Sequence, residues 1–351
     1  MRVVVIHHDP GAGSPEDDWL SRSRQGTDIT PGLYNRVEAE LFTQVHLIHS
    51  CLTQGGHDVS IFCVNDVSDL VHFLRREPPD LVFNCCEAFV GRAQLEMCVA
   101  ALLDLLQIPY TGSPALALGV AQNKPLAKSV LGGCGIPTPR FLVVPVDSDY
   151  PTNALGFPVI VKPVAEDGSI GIDDGAVVHD STSLHKRIRF VWDEFRQPAL
   201  VEEFIAGREF HVSLLAASDG SLTALPISEI DFAFLAQERP RILGYEAKWD
   251  PNASFKQERA SRCPAKLDPA LAQRMRAMAL AAARAVGMRD YARVDFRLRD
   301  EDEALFVIEI NPNPDLDPDC EFLRAARAAG LTNDEAVGEI VKQAALRSGL
   351  T

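Results

Sequence analysis

Residues 291–313 read YARVDFRLRDEDEALFVIEINPN. The stretch predicts two strands joined by the acidic turn Asp300-Glu301-Asp302-Glu303. Successive side chains of a strand point to opposite faces. On the first strand Val294, Phe296 and Leu298 then share one face, and Arg293 and Asp295 the other. On the second, Phe306, Ile308 and Ile310 share one face, and Glu309 and Asn311 the other. Turning the apolar faces to the core brings Asp295, Glu309 and Asn311 together, with Arg293 beside them. Two carboxylates and an amide are oxygen donors of the kind taken by hard cations such as Mg²⁺, usually alongside substrate phosphates. The bland alternative is a hairpin with one solvated polar face. Two features stand against it. Glu309 lies inside the apolar run FVIEI, where an unpaired carboxylate is costly. The rigid turn Asn311-Pro312-Asn313-Pro314 then closes the strand.

The 351 residues, 46% of them hydrophobic, suffice for two or three domains with full cores. A net charge of -15, from 34 basic and 49 acidic residues, argues against a nucleic-acid or anionic-membrane surface. It leaves nucleotides open, because they need only a few local cations. No apolar run approaches the roughly 20 residues of a membrane span. The opening MRVVVI is too short for a signal segment and runs into His7-His8-Asp9. The eight cysteines form no CxxC pair, and Cys85-Cys86 beside a strand-like run read as core thiols. A reducing, cytoplasmic setting is therefore expected.

From the N-terminus, strands are expected at 2–6, 59–64, 80–84 and 108–111, alternating with helices at 34–54, 68–76 and 94–106. The first helix carries Leu41, Val45, Ile48 and Leu52 on one stripe. This alternation predicts a largely parallel α/β sheet. Ligands gather at the carboxyl ends of such strands. That places a site at the long loop 7–32 and at the loop 84–92, whose charged members are Glu87 and Arg92. A helix over 123–135 precedes strands at 141–145 and 157–163, the latter carrying Lys162 near its end. The turn AEDGSIGI (165–172) offers backbone N–H groups to a phosphate. A helix at 181–196 leads to a strand at 199–205, expected to pair antiparallel with 209–217, and then to a hairpin at Asp219-Gly220. A long helix is bounded by Asp268, Pro269 and Gly287, and a helical region, 321–348, follows the hairpin.

Several separated pieces share one resemblance. IPYTGS (108–113), NKPLAK (123–128), GIPTPRF (135–141), VIVKP with GSIGI (159–172), LVEEFIAGREF (200–210), YEAKW (245–249), ARVDFRL (292–298) and VIEINPNPDLD (307–317) run in one order. Over roughly residues 80–320 the chain resembles the ATP-grasp ligases, in the D-alanine–D-alanine ligase-like branch. The resemblance implies an α/β fold, α+β in its C-terminal half, with ATP clasped between two antiparallel sheets. It implies three domains: 1–115 for substrate, a small central 116–205, and a catalytic 206–351. Lys124 and Lys162 would contact phosphates, with Ser169 in the adjoining turn. Glu202 and Ile205 would hold adenine, and Glu209 the ribose hydroxyls. Lys248, in a mobile loop, would reach the terminal phosphate. Asp295, Glu309 and Asn311 would hold two Mg²⁺ ions, with Mn²⁺ as a substitute, and Arg293 would stabilise charge at the reacting centre. The turn 166–171 and the loop 232–257 are lid candidates. Members of the family are often dimers, so a homodimer is compatible with the resemblance; the sequence carries no decisive interface signal.

The implied reaction is EC 6.3-type chemistry on small amino-acid or amine substrates. A carboxylate attacks the γ-phosphate of ATP, and an amine then attacks the acyl phosphate. The amino-acid half departs from the family pattern. Nothing in 7–32 matches the early motif whose glutamate anchors the first amino acid, the paired serine reads Gly168-Ser169, and Trp249 follows Lys248 where the family has tyrosine. After Asn311 come Asp315, Asp317, Asp319 and Cys320, where the family has glycine and serine. The expectation is thus a carboxylate–amine ligase with a rewritten pocket that includes Asp315 and Cys320. A dipeptide ligase with an unusual pocket is the alternative within the class. A non-catalytic nucleotide-binding protein is the alternative outside it, disfavoured because Arg293, Asp295, Glu309 and Asn311 are all present.

Overall fold

Val3 to Ile6 form an unbroken apolar run with no alternation, and such a run suits a strand buried on both faces. In the computed structural model, which describes residues 1–9, 34–151, 154–166, 168–236, 239–245 and 261–350, this run is the middle of β1 (Arg2–His8). It is flanked in parallel by β2 (Asp58–Val64) and β3 (Leu81–Cys85) in the order β2-β1-β3. Helix α1 (Tyr34–Gln54) lays the expected stripe Leu41, Val45, Ile48 and Leu52 into the core. Helix α2 (Val67–Arg76) starts at an Asp66 cap, and α3 (Glu96–Leu105) follows a single 3₁₀ turn at Ala93–Leu95.

The expected fourth strand at 108–111 is reduced to one parallel bridge between Val82 and Tyr110. Pro109 has no N–H for the ladder, and Gly112, at φ +89°, turns the chain away. A Cβ at Gly112 would overlap the Asn313 side chain. Ser113 is tied to the C-terminal hairpin: its N–H donates to Asn313 Oδ1 at 2.8 Å and its hydroxyl to Pro312 O at 3.2 Å. The IPYTGS segment therefore clamps the Asn-Pro-Asn turn of the C-terminal hairpin.

Helices α4 (Ala115–Gln122) and α5 (Lys124–Gly133) meet at Asn123, whose side chain caps α5. An antiparallel sheet β4-β7-β5-β6 follows, built from β4 (Phe141–Val144), β5 (Val159–Pro163), β6 (Val177–Val178) and β7 (Ala199–Glu203). Helix α6 (Ser181–Phe195) covers it with Leu184, Ile188, Val191 and Trp192.

The second antiparallel sheet runs β11-β10-β8-β12-β13, with β9 also on β8. Its strands are β8 (Gly207–Ala216), β9 (Leu222–Ala224), β10 (Ser228–Ile230), β11 (Ser261–Arg262), β12 (Tyr291–Arg299) and β13 (Leu305–Asn311). Helix α7 (Pro269–Val286) packs Met275, Ala279, Ala282 and Ala283 on its inner face. Its Asp268 cap and left-handed Gly287 stop are as the sequence reading expected.

Two pairings differ from expectation. β7 and β8 are not partners but lie in different sheets. Glu203 N donates to Arg140 O at 2.9 Å and Phe204 N to Pro158 O at 3.1 Å, which ends β7 in its own sheet. At Gly207 the chain then enters the second sheet opposite Arg299. Its φ of +147° and the Leu298 carbonyl, which a Cβ would overlap, restrict that crossing point to glycine. Within the 291–313 hairpin, Asp295 faces Glu309, but the next pair is Phe296 with Val307, so a bulge falls at Ile308. The extra residue reverses the side-chain parity. Leu305, Val307 and Ile310 are the buried residues, whereas Phe306 and Ile308 leave the core face to which the alternation had assigned them. The C-terminal region is two helices, α8 (Glu321–Ala328) and α9 (Asn333–Arg347), divided at Gly330 with a Thr332–Glu335 capping box.

Candidate active site

A cavity of about 650 Å³ lies between the two antiparallel sheets. β5, β7 and the 166–172 turn form one wall; β8, β12, β13 and the residues after Asn311 form the other. Lys124, Lys162, Ser169, Glu202, Ile205, Glu209, Arg293, Asp295, Glu309, Asn311, Asp315 and Cys320 all line it. These expected site residues come from segments almost 200 positions apart. Glu87 and Arg92 do not line it. The turn Phe89–Arg92, with Val90 and Gly91 both at positive φ, folds that loop back on itself and leaves Glu87 and Arg92 exposed. Lys248, Trp249 and most of the loop 7–32 lie outside the described residues.

Glu202 is the most enclosed charge. Lys128 Nζ stands 2.6 Å from one of its oxygens and Lys162 Nζ 2.9 Å from the other. Burial would raise its carboxyl, but the two ammonium groups hold it at about 2. Burial drives Lys128 below its usual range even with Glu202 beside it. Lys128 also donates to Thr138 Oγ1 at 2.9 Å.

On the opposite wall, β8 and β12 pair Arg297 with Glu209 and Asp295 with His211. The register makes an ion pair, Arg297 to Glu209, at 2.7 Å. Burial would raise the Glu209 carboxyl, yet Arg297 and then His211 hold it below the ordinary range. Arg293 grips Asp295 with two nitrogens, at 2.7 and 2.9 Å, and Asn311 Nδ2 donates to the same carboxylate at 3.1 Å. Lys124, in the first turn of α5, donates to Glu309 at 3.0 Å. Against burial, Lys124 and Lys162 hold Glu309 ionised down to about 2. His211 is 3.4 Å from Glu209 and 4.0 Å from both Asp295 and Glu321. Burial would lower this imidazole, but the three carboxylates, Asp295 first, raise it.

The 168–171 turn carries positive φ at Gly168, Ser169 and Gly171, a backbone that presents successive N–H groups to one side. The Ser169 hydroxyl is spent on Leu243 O at 2.8 Å, tying the turn to the 242–245 segment. At the far end, Cys320 Sγ donates to Asp315 Oδ2 at 3.0 Å. Burial, with Asp315 and Glu321 adding to it, pushes this thiol well above its usual range, so Cys320 is a neutral donor rather than a nucleophile.

The donor set suits Mg²⁺. Asp295, Glu309 and Asn311 supply two carboxylates and an amide oxygen from facing strands, and a hard cation prefers oxygen. Among the described residues, no group of three or more His, Cys, Asp or Glu side chains is arranged to hold a metal by itself. The fit therefore rests on the amide of Asn311 and on phosphate oxygens from a bound nucleotide.

Sequence reasoning missed Arg297, His211 and Lys128. Arg297 continues the face of Arg293 and Asp295 by one more alternation, and His211 lies two residues from Glu209 on the same strand face. Both were reachable by extending the period-two count. Lys128 had no such signal, because a lysine in the middle of a helix reads as solvated.

Residues 131–342 match the family model for the D-Ala–D-Ala ligase C-terminus. A D-alanine–D-alanine ligase of Carboxydothermus hydrogenoformans is 30% identical over 321 residues, 89% of this chain and 96% of that protein. An uncharacterised protein of Sinorhizobium fredii is 35% identical over 288 residues, 80% of this chain and 81% of its own length. The crystal structure of Bacillus anthracis D-alanine–D-alanine ligase complexed with ATP superposes with a TM-score of 0.73 at 22% identity, covering 99% of both chains.

Proposed function

The chain belongs to the D-alanine–D-alanine ligase-like branch of the ATP-grasp ligases, and from that premise we propose that it is an ADP-forming carboxylate–amine ligase acting through an acyl phosphate. One observation carries the reading: Lys124, Lys162, Arg293, Asp295, Glu309 and Asn311 converge on one cavity between two sheets. Cations there suit polyphosphate, and the oxygen donors suit Mg²⁺.

Lys124 and Lys162 would neutralise phosphate oxygens, and the 168–171 turn would add backbone N–H donors. Glu202 and the Ile205 backbone would hold the base, and Glu209, oriented by Arg297, the ribose. Asp295, Glu309 and Asn311 would hold two Mg²⁺ ions, or Mn²⁺. Bound there, the metal supplies charge neutralisation for the transferring phosphoryl group. A substrate carboxylate oxygen attacks the γ-phosphorus and ADP leaves. An amine then attacks the acyl carbon, loses a proton and expels phosphate, leaving an amide. Arg293 would stabilise the oxyanion of that second step, and the turn 166–171 with the 232–257 loop would exclude water. The three-domain division at 115/116 and 205/206 is part of this reading. So is the homodimer. A cytoplasmic setting suits the free thiols of all eight cysteines. Among the described residues no helix is long and apolar enough to cross a membrane.

The names of the relatives favour a second reading, a dipeptide ligase for D-alanine. The amino-acid end of this cavity opposes it, because Asp315, Asp317 and Cys320 occupy the segment after Asn311. ADP release with Mg²⁺-ATP, across amino acids and amines singly and in pairs with product masses, separates the two. Turnover on D-alanine alone would overturn the rewritten-pocket reading. Failure of every pair would count against the ligase reading itself.

A further inference from the structure

Residues 239–245 form a strap that joins the two walls of the cavity. Ile242 sits in a small apolar cluster with Ile160 and Val177 of the first antiparallel sheet. Leu243 O accepts from the Ser169 hydroxyl at 2.8 Å, and Tyr245 N donates to Ile172 O at 2.8 Å. Arg239 pairs with Asp174 through two nitrogens, at 2.6 and 2.9 Å. These contacts hold the strap to the 168–172 turn and its sheet. Ile242 and Leu243 line the cavity, as do Phe204, Ile205 and Glu209.

Arg297 makes the link to the other wall. It is buried, with its guanidinium 5.7 Å from the Phe204 ring centroid and 5.4 Å from that of Phe232. Its Nη2 stands 2.7 Å from Glu209 Oε2 and also donates to Arg241 O, while Nη1 donates to Gly207 O at 3.3 Å. A terminal guanidinium nitrogen carries two N–H groups, so Nη2 spends one on the carboxylate and one on the strap. One planar group thus fixes the carboxylate, the strap and the crossing point between the sheets. A lysine ammonium, a point charge on a flexible stem, has no such fork. Glu209 Oε1, with His211 Nε2 at 3.4 Å, retains lone-pair capacity for a hydroxyl donor.

Resting on the ATP-dependent reading above, we propose that Arg297 is a positioning residue that makes the site select a ribonucleotide. It locks Glu209 as acceptor for the 2′-hydroxyl and couples that contact to the strap. A hydroxyl on Oε1 fixes the carboxylate, the carboxylate fixes Nη2, and Nη2 fixes the Arg241 carbonyl. The sugar contact and the seating of the strap then strengthen each other by one and the same factor. The Ser169 hydrogen bond carries the effect on to the phosphate turn. A 2′-deoxynucleotide brings no donor to this position. It leaves a charged acceptor unmatched, and a site built for a hydroxyl rejects the analogue that lacks it.

The test is calorimetric titration of the full chain with Mg²⁺ and either ATP or 2′-deoxy-ATP, without amino acids or amines. Hydrogen exchange is followed alongside in the peptide covering 239–245. The wild-type chain is expected to bind ATP at least about tenfold tighter than 2′-deoxy-ATP, the margin of one charge-assisted hydrogen bond. At saturation, ATP should slow exchange in the strap more than 2′-deoxy-ATP does. In Arg297→Met the preference should fall to about twofold or less, with the loss carried by ATP, and both nucleotides should protect the strap equally. A purely structural role would weaken both nucleotides alike and keep their ratio; that result would overturn the proposal. Arg297→Lys keeps a cation against Glu209 and serves if the methionine variant does not melt cooperatively. It should lose the extra protection of the strap by ATP, and a wild-type ratio with wild-type protection would overturn the proposal. Equal binding of the two nucleotides by the wild-type chain sinks this inference and leaves the ligase reading standing. Binding of neither removes the ATP site and this inference with it.

Discussion

Replacing Lys128 with methionine tests how the nucleotide end is built. Lys128 is buried, 2.6 Å from Glu202, and removing its charge leaves Glu202 with Lys162 as the remaining ion-pair partner. The two lysines together bring the Glu202 carboxyl from 4.5 to about 2. At 1.36 kcal/mol per unit that is about 3 kcal/mol favouring the carboxylate. Burial of Lys128 works in the other direction and offsets part of it. Breaking one side of a buried pair typically costs about 3–5 kcal/mol, because the partner charge stays behind. A loss of about 2–4 kcal/mol in urea unfolding at pH 7 is therefore expected. Glu202 has a depressed pKa when folded, so its contribution is complete above about 4.5 and fades as pH falls through about 2. The penalty of Lys128→Met should shrink over that window. Lys162, left alone with Glu202, is held more firmly away from phosphate, so ATP affinity should fall about tenfold. Adding Glu202→Gln to Lys128→Met should recover stability relative to Lys128→Met alone. Unchanged unfolding midpoint and ATP affinity in Lys128→Met would refute the reasoning.

Three further outcomes are expected. Asp295→Asn should abolish ADP formation while the protein still melts cooperatively, since Arg293 and Asn311 both organise around that carboxylate; normal turnover would remove Asp295 from the metal set. His8→Gln should flatten the acid limb of stability between pH 6.5 and 4: burial first, then the neighbouring His7, lowers the His8 imidazole to about 4, so the unfolded chain binds the extra proton in that window and the native state loses up to about 3 kcal/mol as pH falls through it. An unchanged acid limb would place the cause elsewhere. Gly207→Ala should destabilise the fold by about 3 kcal/mol or more, because it combines a positive φ with overlap on the Leu298 carbonyl; a soluble variant with wild-type melting would show that the crossing between sheets tolerates a side chain.

The sequence reading located most elements because their signals are local. The α1 stripe repeats with the helical period, and its four core residues are all buried. The α7 boundaries follow from an aspartate cap, a proline at the first position and a terminal glycine. The carboxylates of 291–313 share a face because alternation holds up to Glu309, where the register pairs them directly. The reading of Phe306 and Ile308 failed at the bulge, since one inserted residue reverses every side chain on its far side. The expected pairing of β7 with β8 failed for a different reason. A short turn between two apolar runs reads as a hairpin, yet hydrogen bonds to Arg140 and Pro158 assign the first run to another sheet.

What the sequence by itself determined is the set of chemical groups and the family to which their order belongs, because spacing within a motif is set by the local backbone. Only the tertiary structure decided how those groups are paired. Glu202 meets Lys128 and Lys162, Glu209 meets Arg297, and Lys124 meets Glu309 across as many as 185 positions. It also left Glu87 and Arg92 outside the cavity and brought the acidic residues after Asn311 to its far end. Ion pairing depends on distance in space and on the burial that removes water, and neither quantity is encoded by separation along the chain.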